Sequence, residues 1–204
     1  MLSLDMKDLA WCEIDGKLVF LDIGKDRYFK LADDQNQVAL DRIRRCGLPK
    51  WHQPEWLARP STLAPQRTSN AIENGRFNLP EVARAMWMQR RVERRLARYG
   101  FASVLSDLCK TVNSRSARTD IAGDAAQKTI SAFHHSKLVR TAADRCLPRS
   151  IALALGLAAH CVRAHVVIGV RIAPFGAHCW VQAGNEILNE SVEEVLLYTP
   201  ILAI

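Results

Sequence analysis

Three side chains in the last third of the chain could together carry out nucleophilic catalysis: Cys146, His178 and either Asn189 or Glu190. Cys146 lies where a helix should begin, because Pro148 suits a first helical turn and the apolar run Ser150–Ala159 follows. Unpaired backbone N–H groups and the helix dipole at such a position favour a thiolate. We therefore expect a nucleophilic cysteine with a lowered pKa, and the same N–H groups could receive a developing oxyanion.

Three predicted strands position the other two side chains. They span Val162–Ile172, Ala177–Ala183 and Glu186–Glu190, and the second contains His178. A cysteine, a histidine on an adjacent strand and an acid or amide on the next follow the order of nucleophile, base and orienting group. Each residue alone also has a structural explanation, because buried cysteines are often inert and a single strand histidine commonly packs in a core.

The orienting group has two candidates. If the turn at Gly184-Asn185 contains strictly two residues, strand alternation places Asn189 on the face of His178 and Glu190 on the opposite face. A bulge or a loop of odd length would reverse this assignment. The residues alone leave both candidates open.

Composition and charge narrow the class of protein. With 204 residues, of which 49% are apolar, the chain can form one large or two small domains with a packed core. The six cysteines show no CxxC spacing, and those near the histidines match no zinc-binding pattern, so no metal site is predicted. The first residues contain acids where a secretory signal would have its basic start and apolar core, so no such signal is expected. No apolar run reaches the roughly 18 residues that span a membrane. A cytoplasmic protein without a membrane partner is expected.

The N-terminal part predicts a small β-meander. Strand-like runs at Leu9–Ile14 and Leu18–Ile23 flank Asp15-Gly16, a dipeptide that tolerates the positive φ angles of a tight hairpin. A third strand at Arg27–Leu31 precedes an amphipathic helix. Such a meander leaves an edge strand with unpaired backbone groups, to which an extended peptide can add. A purely stabilising β-element is the alternative interpretation.

The periodic spacing of apolar residues weakens between the meander and the next long helix. Trp51 and Trp56 suggest a short packed helix, whereas the polar run Gln66–Asn70 after Pro65 is typical of a loop. We place the domain boundary at residue 75. The predicted domains are residues 1–75 and residues 76–204.

Much of the net charge of +7 lies on one predicted helix, Pro80–Tyr99. Its basic face contains Arg84, Arg90, Arg91, Arg94, Arg95 and Arg98. Trp87 projects within this face, which could bind a partner, although a solvated helix face is the more common explanation. No helix-turn-helix or finger motif is present, so no nucleic-acid partner is predicted. Further helices are predicted at Leu105–Val112 and Ile130–Ala143, separated by a polar loop at Asn113–Gln127.

The catalytic segment resembles a known family, the maturation protease (B protein) of lasso-peptide gene clusters. The matching segments are Cys146-Leu147-Pro148-Arg149-Ser150, Val167-Ile168-Gly169-Val170-Arg171, Pro174-Phe175, Ala177-His178 and Trp180-Val181. The pair Leu21-Asp22, followed by Arg27-Tyr28-Phe29 and a helix, is similar to the family's leader-recognition element. The resemblance implies an α+β chain, in which the β-meander and its helices precede a transglutaminase-like (papain-type) cysteine protease domain.

The resemblance also implies a reaction and its participants. Cys146 would attack the peptide bond between leader and core, with His178 as base and then acid, and Glu190 stands where the family usually has Asp. The leader of the precursor would add as a strand beside Arg27, Tyr28, Phe29, Lys30 and Leu31. An asparagine-synthetase-like cyclase would then close the ring, and we hypothesise that the arginine face contacts this cyclase or the precursor. Family members have been linked to ATP, but the chain contains no phosphate-binding loop and no intrinsic cofactor is expected.

Two other functions fit the residues. Another acyl-transfer enzyme, such as a transglutaminase or an amide hydrolase, could use the same cysteine–histidine pair. A non-catalytic peptide-binding scaffold would contain Cys146 only as a buried thiol.

Overall fold

The structure is a computed structural model that describes residues 9–46, 64–73, 75–114, 121–139 and 145–204. The described residues form the strands β1 (Leu9–Ile14), β2 (Lys17–Asp22), β3 (Arg27–Lys30), β4 (Arg67–Thr68), β5 (His165–Ile172), β6 (Phe175–Ala183), β7 (Glu186–Ile187) and β8 (Thr199–Ala203). They form the helices α1 (Asp33–Cys46), α2 (Asn70–Glu73), α3 (Leu79–Tyr99), α4 (Phe101–Ser114), α5 (Asp124–Val139), α6 (Cys146–Ala159) and α7 (Val192–Val195). The short helix predicted around Trp51 and Trp56 lies outside the described residues.

The predicted N-terminal β-meander is confirmed as a three-stranded antiparallel sheet in the order β1-β2-β3. The β1–β2 turn has φ angles of 49° at Asp15 and 74° at Gly16, the left-handed pair that a two-residue hairpin requires. One face of the sheet packs on α1, where Leu40 contacts the cluster of Leu18 and Phe20.

A second sheet has the strand order β4-β7-β6-β5-β8, with β4 parallel to β7 and the other neighbours antiparallel. The loop predicted for Gln66–Asn70 is wrong, because Arg67 and Thr68 form β4 and α2 begins at Asn70. Long-range partners decide this: both Nε and Nη2 of Arg67 contact Oε2 of Glu186, at 2.9 and 2.7 Å. A local pattern cannot show such partners. The boundary at residue 75 stays a prediction.

The long helices follow the apolar periodicity. α3 begins at the residue before Pro80, and the side chain of Asn78 caps it by accepting from the Glu81 N–H. α5 begins at Asp124, six residues before the predicted start at Ile130, so the polar loop is shorter than expected. Its first turn is stabilised by the side chain of Gln127, which donates to the carbonyl of Ile121 at 2.7 Å.

The buried helix α6 is the centre of the core. It packs against α3, α4 and α5 on one side and against β5 and β6 on the other. Val166, Ile168 and Val170 of β5 belong to the same buried cluster as the α6 side chains, and so do Val19 and Leu21 of β2. The meander contacts the second sheet through β1 and β8. The predicted α+β class, with its N-terminal β-meander, is confirmed.

Candidate active site

Cys146 is the first residue of α6, as the sequence predicts. Its half-buried sulfur accepts hydrogen bonds from the backbone N–H groups of Leu147, at the start of the helix, and Cys179, on β6. The preceding residue, Arg145, makes no side-chain cap, so the sulfur itself serves one of the helix's free N–H groups. The thiol therefore lies between the helix start and the strand that carries His178.

The expected lowering of the Cys146 pKa is wrong. Burial raises the pKa of this thiol above its ordinary value of 9.0, and this effect outweighs the N–H groups of Cys179 and Leu147, which lower it. The charge of Glu190 raises it further, whereas Arg149 lowers it. A helix start favours a thiolate only by a modest amount, and desolvation of a charge is the larger effect here.

His178 occupies β6 opposite Gly169 of β5. Its ring packs against two aromatic side chains, with centroids 6.4 Å from Trp180 and 5.2 Å from Tyr198. Burial lowers the pKa of the imidazole below 6.5, Glu190 and Glu194 raise it, and Lys137 and Arg149 lower it. Both shifts favour the uncharged forms of these groups, a protonated thiol and a neutral imidazole.

Glu190 lies closer to His178 than strand alternation predicts. Its Oε1 is 3.7 Å from Nε2 of His178, and both side chains are 16% exposed. Nε2 has no hydrogen-bond partner among the described residues, so nothing there competes with the carboxylate for it.

Asn189 takes a different place. It is buried, its Oδ1 accepts from the N–H of Val181 at 2.7 Å, and its Nδ2 donates to Oγ of Ser150 at 2.9 Å. Ser150 in turn donates to the carbonyl of Cys179 at 3.0 Å. Asn189 therefore connects α6 to β6 and does not point at His178.

Lys137 on α5 is a member of the site that the sequence does not reveal. Its Nζ lies 2.7 Å from Oε1 of Glu190 and donates to the carbonyl of Asn189 at 2.5 Å. The lysine thus contacts the same carboxylate oxygen that faces His178. It is about 50 residues away in sequence, and a helix pattern gives no sign of this contact.

The predicted leader-binding residues Arg27–Lys30 form β3, and Leu31 follows directly. β3 is an edge strand that pairs only with β2 among the described residues, so no described strand pairs with its other backbone edge. Phe29 stacks on Phe20 at 5.1 Å, on the face of the sheet that packs on α1. Tyr28 lies on the opposite face, towards α6 and β6. Their role in binding a leader stays a prediction.

Three further observations concern metal ions, membrane-spanning helices and the basic face of α3. Within the part of the chain that the structure describes, no group of three histidine, cysteine, aspartate or glutamate side chains is placed to hold a metal ion. No helix in the same ranges is long and apolar enough to cross a membrane. On α3 Trp87 is 57% exposed, and Arg91 lies over its ring at 5.5 Å, whereas Arg95 of the predicted basic face contacts Asp107.

Together these features define a class of protein: an α+β fold with a cysteine at the start of a buried helix, and a histidine and an acid that lie 3.7 Å apart. The chain belongs to the transglutaminase-like superfamily, whose model matches residues 86–203, more than half of its length. A part of the chain is also similar to the microcin J25-processing protein McjB of Escherichia coli, with 44% identity over 46 residues. This similarity spans 22% of the chain and 22% of that protein. No solved structure matches the chain significantly.

Proposed function

We propose that the protein is a cysteine protease that binds the leader of a lasso-peptide precursor and cleaves it from the core peptide. The observation that carries this proposal is the position of Glu190, 3.7 Å from His178, in a site whose thiol lies at the start of α6. Membership of the transglutaminase-like superfamily and the similarity to McjB support it. The proposed partners are the precursor and an asparagine-synthetase-like cyclase, which would use the released amine.

The proposed reaction begins from the neutral pair. Nδ1 of His178 takes the proton from the Cys146 thiol as the sulfur attacks the carbonyl carbon at the leader–core junction. N–H groups at the start of α6 stabilise the oxyanion. The imidazolium, held by Glu190 through Nε2, then gives its proton to the leaving amine of the core. Water hydrolyses the thioester, with His178 again as base, and releases the leader as an acid.

The raised pKa of Cys146 has a consequence for the free protein. A thiol that burial keeps protonated reacts slowly with iodoacetamide at neutral pH, even if it is the nucleophile. Alkylation of the free protein therefore does not separate a protease from a peptide-binding scaffold with a buried cysteine. Trapping of the thioester does, because only a nucleophilic Cys146 forms a covalent adduct with substrate.

The experiment is an incubation of the protein with a candidate lasso precursor, with and without the cyclase, followed by intact-mass analysis. We expect a leader fragment and a core fragment, and neither with Cys146→Ala. A Cys179→Ala variant is the matched control, because Cys179 is a neighbouring buried thiol that the mechanism does not use. Absence of leader release in the presence of the cyclase would exclude the protease function.

A further inference from the structure

Tyr28 connects the β-meander to the candidate active site. It is a β3 residue, yet it packs against the buried cluster that contains the α6 side chains, together with Cys146. Burial is the main reason that the pKa of Tyr28 is raised, and thiolate charge at Cys179 and Cys146 would raise it further.

The partner of Tyr28 across this junction is Phe175. The two rings meet edge to face, with centroids 5.8 Å apart and an interplanar angle of 63°. Phe175 is the first residue of β6, three positions before His178, and half of its surface is exposed. The Tyr28–Phe175 pair thus joins the edge strand β3 to the strand that carries His178, and Phe175 stays half exposed.

The position of the Tyr28–Phe175 pair matters for a precursor that contacts both β3 and Cys146. A leader held as a strand beside β3 and a scissile bond at Cys146 place the aromatic pair along the route between them. Aromatic faces favour apolar side chains and disfavour carboxylates, which lose hydration without gaining a donor there. Residues of the precursor in this stretch therefore meet an apolar wall.

We propose that the Tyr28–Phe175 pair is a specificity-determining subsite for an apolar side chain in the leader segment between the β3-bound strand and the scissile bond. The proposal rests on the proposed function and adds a contact to it. It also makes the meander part of the catalytic cleft rather than a separate docking module, because one wall of the subsite comes from β3.

The test is an aspartate scan. Apolar residues of this leader segment are replaced by Asp one at a time, and kcat/KM for precursor cleavage is measured with the wild type and with Phe175→Ala. We expect one position at which Asp lowers kcat/KM of the wild type by about tenfold or more. The same replacement should have little further effect in Phe175→Ala, which itself loses about tenfold on the unmodified precursor.

Phe77→Ala is the matched control and should cleave like the wild type, because it removes a phenyl of similar exposure, 56%, that contacts His135 instead. The dissociation constant of a short peptide that contains only the β3-binding end of the leader should be the same for Phe175→Ala and for the wild type. This measurement separates a subsite near the thiol from a loss of leader docking.

Each outcome decides one claim. If the wild type releases leader but Phe175→Ala shows the same aspartate profile, the subsite is wrong and the protease function stands. If Phe77→Ala loses as much as Phe175→Ala, the effect is not specific to the Tyr28–Phe175 pair, and the subsite is again wrong. If the wild type releases no leader at all, the proposed function fails and the subsite with it.

Discussion

Replacing Lys137 by methionine should move the acidic limb of the pH–activity profile to higher pH. Its cation lowers the pKa of His178, whereas the charge of Glu190 raises it. Without the lysine, the carboxylate is free to turn towards Nε2 of His178, which is now 3.7 Å from Oε1. Because the imidazole must be neutral to accept the thiol proton, a higher pKa removes activity at a higher pH.

The same substitution should also lower stability. Nζ of Lys137 makes two short contacts, at 2.7 Å to Glu190 and 2.5 Å to the Asn189 carbonyl. Hydrogen bonds to charged groups contribute about 1.5–3 kcal/mol each when buried. Since the lysine is a quarter exposed and the carboxylate 16% exposed, solvent screening reduces this contribution. We expect the free energy of unfolding to fall by about 2 kcal/mol in total.

The assay is kcat/KM for precursor cleavage as a function of pH, with urea unfolding of the same samples. Lys128→Met is the matched control: Lys128 lies on the same helix and pairs with Asp124 at the surface, so neither the pH profile nor stability should change measurably. A folded Lys137→Met variant whose acidic limb coincides with that of the wild type would refute the electrostatic account of this site.

Three further predictions concern the surroundings of the site. Gly169→Ala should lower the free energy of unfolding by about 1–3 kcal/mol and should also lower the rate of cleavage. The reason is that an added Cβ would lie 2.7 Å from the Trp180 ring, on which His178 packs. Unchanged urea unfolding would contradict this prediction. Asn189→Ala should destabilise the fold by about 2–3 kcal/mol through its buried hydrogen bonds. Glu190→Ala should abolish cleavage and lower stability by no more than Lys137→Met does, because it removes only one of the two Lys137 contacts, that with Glu190. Loss of cleavage in a well-folded Asn189→Ala alone would reverse this assignment. Burial lowers the pKa values of three histidines, His134, His165 and His178. Stability should therefore be constant just above about pH 6.5 and fall as the pH decreases below it, because the unfolded state then binds more protons than the folded state. A melting temperature that is the same at about pH 7 and about pH 5 would contradict this burial.

Local signals were sufficient where the structure depends on local chemistry. The Asp15-Gly16 turn requires positive φ angles, and the sequence supplies residues that tolerate them. Cys146 begins a helix because Pro148 and the apolar run after it suit no other element as well. These are the features that predict the meander and the position of the thiol.

The third member of the site depended on where a short strand ends. Gly184-Asn185 is a two-residue turn, and Ala183 pairs with Glu186 as the strict register requires. β7 nevertheless ends at Ile187. The reason is that the N–H of Val181, which would donate to the backbone of a longer β7, donates instead to the side-chain oxygen of Asn189. The chain therefore leaves the ladder, and alternation no longer decides which face Glu190 occupies.

The pKa of Cys146 and the contact of Lys137 depend on the packed interior. A helix start is visible in sequence, but the extent to which other elements cover the thiol is not, and burial decides the direction of the shift. The Lys137–Glu190 contact joins α5 to the segment after β7. No local pattern relates these two positions, so only the tertiary structure shows that the lysine contacts the site.

Mass analysis of a candidate precursor after incubation with the wild type, Cys146→Ala and Glu190→Ala tests the central claim most directly. The mechanism predicts a free leader and a free core peptide with the wild type only, and intact precursor with both variants. Leader release by Cys146→Ala, or intact precursor with the wild type even when the cyclase is present, would contradict the assignment of this chain as a leader-cleaving cysteine protease.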